Sequence, residues 1–307
     1  MLVFFLHGVN TKNCDYAKAL ITHIEKEFNQ DDYYEHPLFY SSFWGNLFNN
    51  KKNQINSCIK DDIFKADKKH PEYQWLKKDF YRYLQRRLDF VNNFLGDFLI
   101  YQNPARGEAI RQVVLEQLMQ YIKDHPKQEN IHFIAHSLGS VILWDILFSQ
   151  NLPEHDAAFR FRDFLQNIDV ASITTLGSPL LFIKHLLDLN FSHIHTFTSY
   201  ANTTNQFRWV NIIHSSDLIA YPLQSAIKDE IGNNIFFCDQ YVWQDANTME
   251  KTLNLSGNSD LAMVIAAEDA HSSYLYDNLD GRITGRIIAY NLKGQIKELE
   301  KRCISPK

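Results

Sequence analysis

Apolar and polar positions along the chain change period at a few sharp points, and those points predict its elements. Residues 2–6, LVFFL, are continuously apolar and run straight into His7-Gly8, which marks a buried strand ending in a tight turn. Residues 15–29 switch to helical spacing, with Tyr16, Ala19, Leu20, Ile24 and Phe28 on one side. PLFYSSFWG at 37–45 reads as a second strand. Periodicity lapses in the lysine-rich stretch 49–70. Residues 72–101 then carry Leu76, Phe80, Tyr83, Leu84, Leu88, Val91, Leu95 and Phe98 on one stripe, predicting a long amphipathic helix. A further helix over 107–123 places Ile110, Val113, Val114, Leu118 and Ile122 together and is stopped by Asp124-His125-Pro126. IHFIA at 131–135 is a strand and 138–149 a helix; DVASITTLG at 169–177 and RWVNIIH at 208–214 are buried strands. The final helix, 283–301, carries Ile283, Ile287, Ile288, Leu292, Ile296 and Leu299. The last strand before it is either NIFFCDQYVW (234–243) or LAMVIAAE (261–268), and the second of these equally suits a helix.

Strands alternating with helices predict an α/β fold with a mostly parallel central sheet and helices on both faces. No repeat, low-complexity tract or Pro/Gly/Ser-rich linker divides the chain, so residues 1–307 read as a single domain. Two long stretches interrupt the alternation: 46–105, a helical insertion and cap candidate, and 224–268, a second insertion.

Composition narrows the choice of partners. The chain has 307 residues, 45% of them apolar, which suffices for a full core. A net charge of −5 gives no general attraction to nucleic acid or to anionic lipid, so no nucleic-acid partner is expected, nothing indicates membrane contact, and the oligomeric state is left open. Cys14, Cys58, Cys238 and Cys303 form no CxxC pair and read as reduced thiols. MLVFFLHG has no basic leader and too short an apolar stretch for a signal segment, and no run reaches membrane-spanning length. The expected setting is therefore cytoplasmic, with export by a route without a cleaved signal left open. No HExxH pair and no Cys/His cluster suggests a metal, and no cofactor is called for.

The junction at Ala135-His136-Ser137-Leu138-Gly139 is where the chemistry concentrates. A strand running directly into a helix needs a very tight turn, whose apex residue adopts an unfavourable backbone and projects off the carboxyl edge of the sheet. The residues two before and two after come close and must be small. Ala135 and Gly139 are, and Ser137 stands at the apex as a candidate nucleophile. The helix that follows aims its free N–H groups at a reacting carbonyl, which makes the N–H of Leu138 one oxyanion donor.

With these residues the chain resembles the α/β-hydrolase fold family, and within it the lipase- and esterase-like members that carry HSLG. The resemblance covers most of the chain in order, apart from the insertions. It implies a second oxyanion donor in the loop after an early strand; HGVN at 7–10 matches, giving the N–H of Val9, with Asn10 as a lesser contributor. It implies the order Ser, acid, His. RWVNIIHSSDLIAYPL at 208–223 then supplies Asp217 as the triad acid, ahead of Asp169, which precedes its strand. EDAHSSYLYDN at 268–278 supplies His271 as the base, on a loop before the last helix and within a His-x-x-Tyr segment similar to that of other hydrolases. The Gly-Ser-Pro at 177–179 is similar to one on the pocket rim of relatives; Ser178 is not a rival nucleophile, because no tight turn into a helix follows it. His136, His185, His193, His195 and His214 read as packing or surface residues. The usual first antiparallel strands of the family are absent, since the chain starts at what would be the third strand.

Together these features predict a serine hydrolase of the carboxylic-ester class that works through an acyl-enzyme, on a small-molecule or lipid ester. An apolar acyl group is expected from the aromatics of 72–101 and the lipase-like motifs. Thioesterase, amidase or acyltransferase chemistry on the same triad remains open, as does, in a different class, a non-catalytic binding module on the hydrolase fold.

Overall fold

The strand Leu2–Leu6 (β1) sits inside the molecule with both faces covered. Leu2, Phe4 and Leu6 join one hydrophobic cluster, while Val3 and Phe5 join another on the opposite side. This is why the run is continuously apolar: a strand sandwiched between two helical layers has no polar face. The computed structural model describes residues 1–31, 34–50, 96–166, 168–186, 188–191, 206–231 and 235–303, with a few single positions elsewhere.

A 3₁₀ turn at Cys14–Ala17 leads into α1 (Lys18–Phe28), followed by β2 (Leu38–Ser41). Then come α2 (Gly96–Gln102), α3 (Pro104–Asp124), β3 (Asn130–His136), α4 (Leu138–Leu147), α5 (Ala157–Leu165), β4 (Asp169–Leu176) and α6 (Leu180–Leu186). The remainder is β5 (Phe207–His214), α7 (Gln224–Ile231), β6 (Ile235–Val242), α8 (Thr248–Leu255), α9 (Ser259–Ser273), α10 (Leu279–Leu292) and α11 (Ile296–Glu300).

The six strands form one sheet in the order β2-β1-β3-β4-β5-β6, and every neighbouring pair is parallel. This is the parallel α/β arrangement expected of the chain, and it is consistent with an α/β-hydrolase fold. Residues of α3, α4 and α5 pack on the face bearing Phe4 and Phe133, and residues of α1 and α10 pack on the face bearing Val3 and Ile134. The chain steps from β1 to β2 on one side and then crosses back past β1 to β3 on the other. That reversal opens a crevice beyond the carboxyl ends of β1 and β3, the place where such sheets bind ligands.

Several expectations are corrected. Of the two readings left open for the last strand, the first holds among the described residues, as β6, and 261–268 lies within α9; the stretch 224–268, expected as an insertion, therefore contributes a member of the central sheet as well as helices. The final helix is two helices, α10 and α11, because Gly294 at φ +69° turns the chain between them. His271 is not on a loop but in the last turn of α9. Cys238 and Cys303 are joined in a disulfide that ties β6 to the segment after α11, so only Cys14 and Cys58 are free thiols. Most of the expected cap 46–105, including nearly all of the predicted helix 72–101, lies outside the described residues. Among the described residues no helix is long and apolar enough to cross a membrane.

Candidate active site

Ser137 stands between β3 and α4 with φ 55° and ψ −127°, a left-handed conformation that costs a non-glycine residue free energy. The turn is held on both sides. The Ser137 N–H donates to Leu176 O at the end of β4 (2.9 Å), and the Ser140 hydroxyl donates to Ser137 O (2.6 Å). A Cβ on Gly139 would lie 2.6 Å from Leu6 O and 2.7 Å from His7 O. The elbow therefore closes only because position 139 has no side chain. As the first residue of α4, Leu138 has an N–H without an intrahelical acceptor.

His271 and Asp217, distant in sequence, meet Ser137 at this edge. The Ser137 hydroxyl lies 2.8 Å from His271 Nε2, and His271 Nδ1 lies 2.9 Å from Asp217 Oδ2. With the carboxylate ionised, the proton sits on Nδ1 and leaves Nε2 to accept from the serine. Asp217 follows β5 in a short loop. Its Oδ1 accepts from the Ile219 N–H (3.0 Å), and its Oδ2 accepts a second bond from the Tyr274 hydroxyl (2.9 Å). Burial alone would raise this carboxyl, but the bonds from His271, Ile219 and Tyr274 outweigh it and hold it below the usual range. Burial and the neighbouring Asp217 charge keep the Tyr274 hydroxyl far from ionising, so it remains a donor. The same hydroxyl accepts from the His214 N–H (2.7 Å), which fixes the end of β5. Gly177, at φ +56°, lies against Asp217, Tyr274 and His271; a Cβ there would come 2.9 Å from Asp217 Oδ2, 3.0 Å from Tyr274 Cε2 and 3.2 Å from His271 Cε1.

The loop after β1 comes up against Ser137 from the other side. A Cβ on Gly8 would meet Ser137 Cβ at 2.5 Å and Ser137 Oγ at 3.0 Å. His7 is buried, stacked on Trp44 with ring centroids 4.6 Å apart. Its Nε2 accepts from the Trp44 N–H (3.1 Å), so its Nδ1 carries the proton and donates to Gly8 O (2.7 Å). Asn10 turns the loop with φ 58°.

Two features of the site carry no sequence signal of their own. His136, expected only to pack, donates from Nε2 to His271 O (2.7 Å), and its ring lies 4.9 Å from that of His271. Burial and then the adjacent His271 hold its pKa down to about 3, so it stays neutral. Asp97, in α2, accepts from the Asn10 N–H (2.9 Å). Ser178 is fully buried, with its hydroxyl 2.8 Å from that of Ser140. It is a packing residue under the elbow rather than a rim residue. Asp169 lies at the start of β4, at the opposite edge of the sheet. Among the described residues no group of three or more His, Cys, Asp or Glu side chains is placed to hold a metal ion.

Residues 108–214, less than half of the chain, match a family model described as "Putative serine esterase (DUF676)". The matched stretch contains β3, Ser137 and β5 and ends before Asp217 and His271. These findings support an α/β-hydrolase-like serine esterase. No curated protein matches the sequence. One solved structure, described as the "putative cell surface hydrolase from Lactobacillus plantarum WCFS1", aligns with 99% of this chain and 98% of its own. Its identity is 9% and its TM-score 0.38, too slight a likeness to carry an argument.

Proposed function

We infer that the chain hydrolyses carboxylic esters through an acyl-enzyme, with Ser137 as nucleophile, His271 as general base and acid, and Asp217 as the group that orients and stabilises the imidazole. The observation that carries this reading is the unbroken chain of hydrogen bonds from the Ser137 hydroxyl through His271 to Asp217. A serine hydroxyl is a weak nucleophile unless a neutral imidazole takes its proton as it attacks. Ser137 Oγ adds to the acyl carbonyl while His271 Nε2 accepts the proton. The imidazolium then returns that proton to the leaving oxygen. Water, deprotonated by the same nitrogen, adds to the acyl-enzyme, and Ser137 leaves with its proton restored.

In both tetrahedral intermediates the negative oxygen is held by the N–H groups of Leu138 and Val9. The first lies at the positive end of α4, and the second is in the loop that the absence of a Gly8 side chain lets press against Ser137. An apolar acyl chain suits the aromatic content of residues 72–101. Hydrolysis of p-nitrophenyl esters of increasing chain length tests the reading. Wild type should turn them over, preferring the longer chains, and Ser137→Ala and Asp217→Asn should lose about four or more orders of magnitude in kcat. Full activity in Ser137→Ala would end it.

A further inference from the structure

Val9, whose N–H is the proposed donor, lies between two peptide units, and each of them is held by side chains. The unit joining Gly8 and Val9 is fixed through its carbonyl, which accepts from His7 Nδ1 (2.7 Å) and from the Thr11 hydroxyl (3.3 Å). In a trans peptide the N–H points opposite to the C=O, so anchoring Gly8 O aims the Val9 N–H the other way. The unit joining Val9 and Asn10 is fixed through its N–H, which donates to Asp97 Oδ2 (2.9 Å). Asn10 is one of three non-glycine residues with positive φ among the described residues, and Ser137 is another. Both halves of the oxyanion site are thus built on backbone that would relax if left unsupported.

Asp97 is well placed to support it. The residue is 4% exposed, in the first turn of α2. One turn on, Tyr101 of the same helix donates its hydroxyl to Asp145 Oδ2 (2.6 Å). Asp145 belongs to α4, the helix whose first N–H is the other proposed donor. Arg111 of α3 donates to the Tyr101 hydroxyl (3.0 Å) and bonds Asp156 through Nε (2.8 Å), which locks Tyr101 in place. The helix α2 therefore brackets the site, with one carboxylate on the loop of Val9 and one phenol on the helix of Leu138.

The geometry points to Asp97 as a positioning residue of the oxyanion hole, holding Val9 through the Asn10 N–H. It makes the carboxyl end of the 46–105 stretch part of the catalytic apparatus. This rests on the reading of Val9 and Leu138 as oxyanion donors, and it predicts an effect on the tetrahedral state rather than on substrate binding.

The test compares wild type, Asp97→Ala and Asp97→Asn in three measurements: kcat and KM for p-nitrophenyl butyrate, the rate of labelling by a fluorophosphonate, and the inhibition constant of phenylboronic acid, which forms a tetrahedral adduct on serine. Asp97→Ala should lower kcat and the labelling rate about 10-fold or more, with KM within about twofold, and weaken the boronic acid by a similar factor. Asp97→Asn, which keeps an oxygen for the Asn10 N–H, should recover most of each loss. If Asp97→Ala matches wild type, or if Asp97→Asn falls as far as Asp97→Ala, the proposal is wrong. Should Asp97→Ala not fold, Asp97→Asn decides alone: near wild-type rates support the proposal and a 10-fold loss overturns it. Labelling of Ser137→Ala at the wild-type rate would instead overturn the hydrolase reading, so the two failures are distinct.

Discussion

The imidazole of His136 donates its Nε2–H to the main-chain oxygen of His271 at 2.7 Å. The residue before Ser137 thereby holds the backbone of His271. His271 occupies the last turn of α9, where helix carbonyls lack an intrahelical donor, and His136 satisfies this one from β3. His136→Ala should lower kcat about 10-fold through a displaced imidazole, with KM little changed, while His136→Gln, which restores an N–H at a similar reach, should recover most of it. Steady-state kinetics on the two variants checks this; equal losses in both would show that the ring matters only as packing.

The loop carrying Val9 presses on Ser137 because Gly8 has no Cβ. A methyl group there would lie 2.5 Å from Ser137 Cβ, so either the loop or the elbow must move. Gly8→Ala should therefore cut kcat about 100-fold, the scale of an ångström displacement in a reacting centre. Circular dichroism should show the fold unchanged. Wild-type kinetics in Gly8→Ala would mean that the loop sits further from Ser137 than described.

Acid sensitivity follows from two buried imidazoles. Burial lowers His132 to about 3, as it does His136. In the unfolded chain each would titrate near 6.5, so between about pH 6.5 and 3 the unfolded state binds more protons and stability falls as pH falls. Above about pH 6.5 neither contributes a slope. At pH 5 the loss is about 2 kcal/mol for each ring. Asp217 acts in a lower window. Its folded carboxyl is held below the usual value, so its stabilisation is present above about pH 3.9 and disappears as pH falls through the folded value. Urea unfolding at pH 7 and pH 5 should show His132→Gln losing about 2 kcal/mol less than wild type between the two. Identical losses would contradict the buried neutral assignment.

How far the sequence alone reached depends on whether a feature is local. The elbow was legible because the change from strand to helix period falls on one serine flanked by Ala135 and Gly139. The order Ser, acid, His that the resemblance implies pointed to Asp217 and His271, the two side chains that the hydrogen bonds link to Ser137. The helix bearing His271 was ambiguous because LAMVIAAE is a short, almost continuously apolar run, in which periodicity does not separate a buried strand from a buried helix; Ala262, Ala266 and Ala270, buried four apart, mark a helix packed through small side chains. His136 and Asp97 gave no signal, since the bonds that define their roles span 135 and 87 residues. The bond between Cys238 and Cys303, 65 residues apart, likewise belongs to no spacing motif.

That disulfide has a direct chemical readout. Under denaturing conditions without reductant, a thiol reagent should find only Cys14 and Cys58, and after reduction all four cysteines. Closing a loop of 65 residues restricts the unfolded chain by about 4 kcal/mol, so reduction should lower the unfolding midpoint markedly. Four reactive thiols before reduction would instead return the protein to the reduced state expected of a cytoplasmic setting.

The most direct test of the proposed active site is covalent. An alkyl fluorophosphonate captures a serine only when a base has activated it, and mass spectrometry of the digested adduct locates the phosphorus. A single phosphonyl group on Ser137 in wild type, absent from Ser137→Ala and reduced at least 100-fold in rate in His271→Ala, is the predicted outcome. Modification of another serine, or labelling of Ser137 that proceeds at full rate without His271, would contradict it.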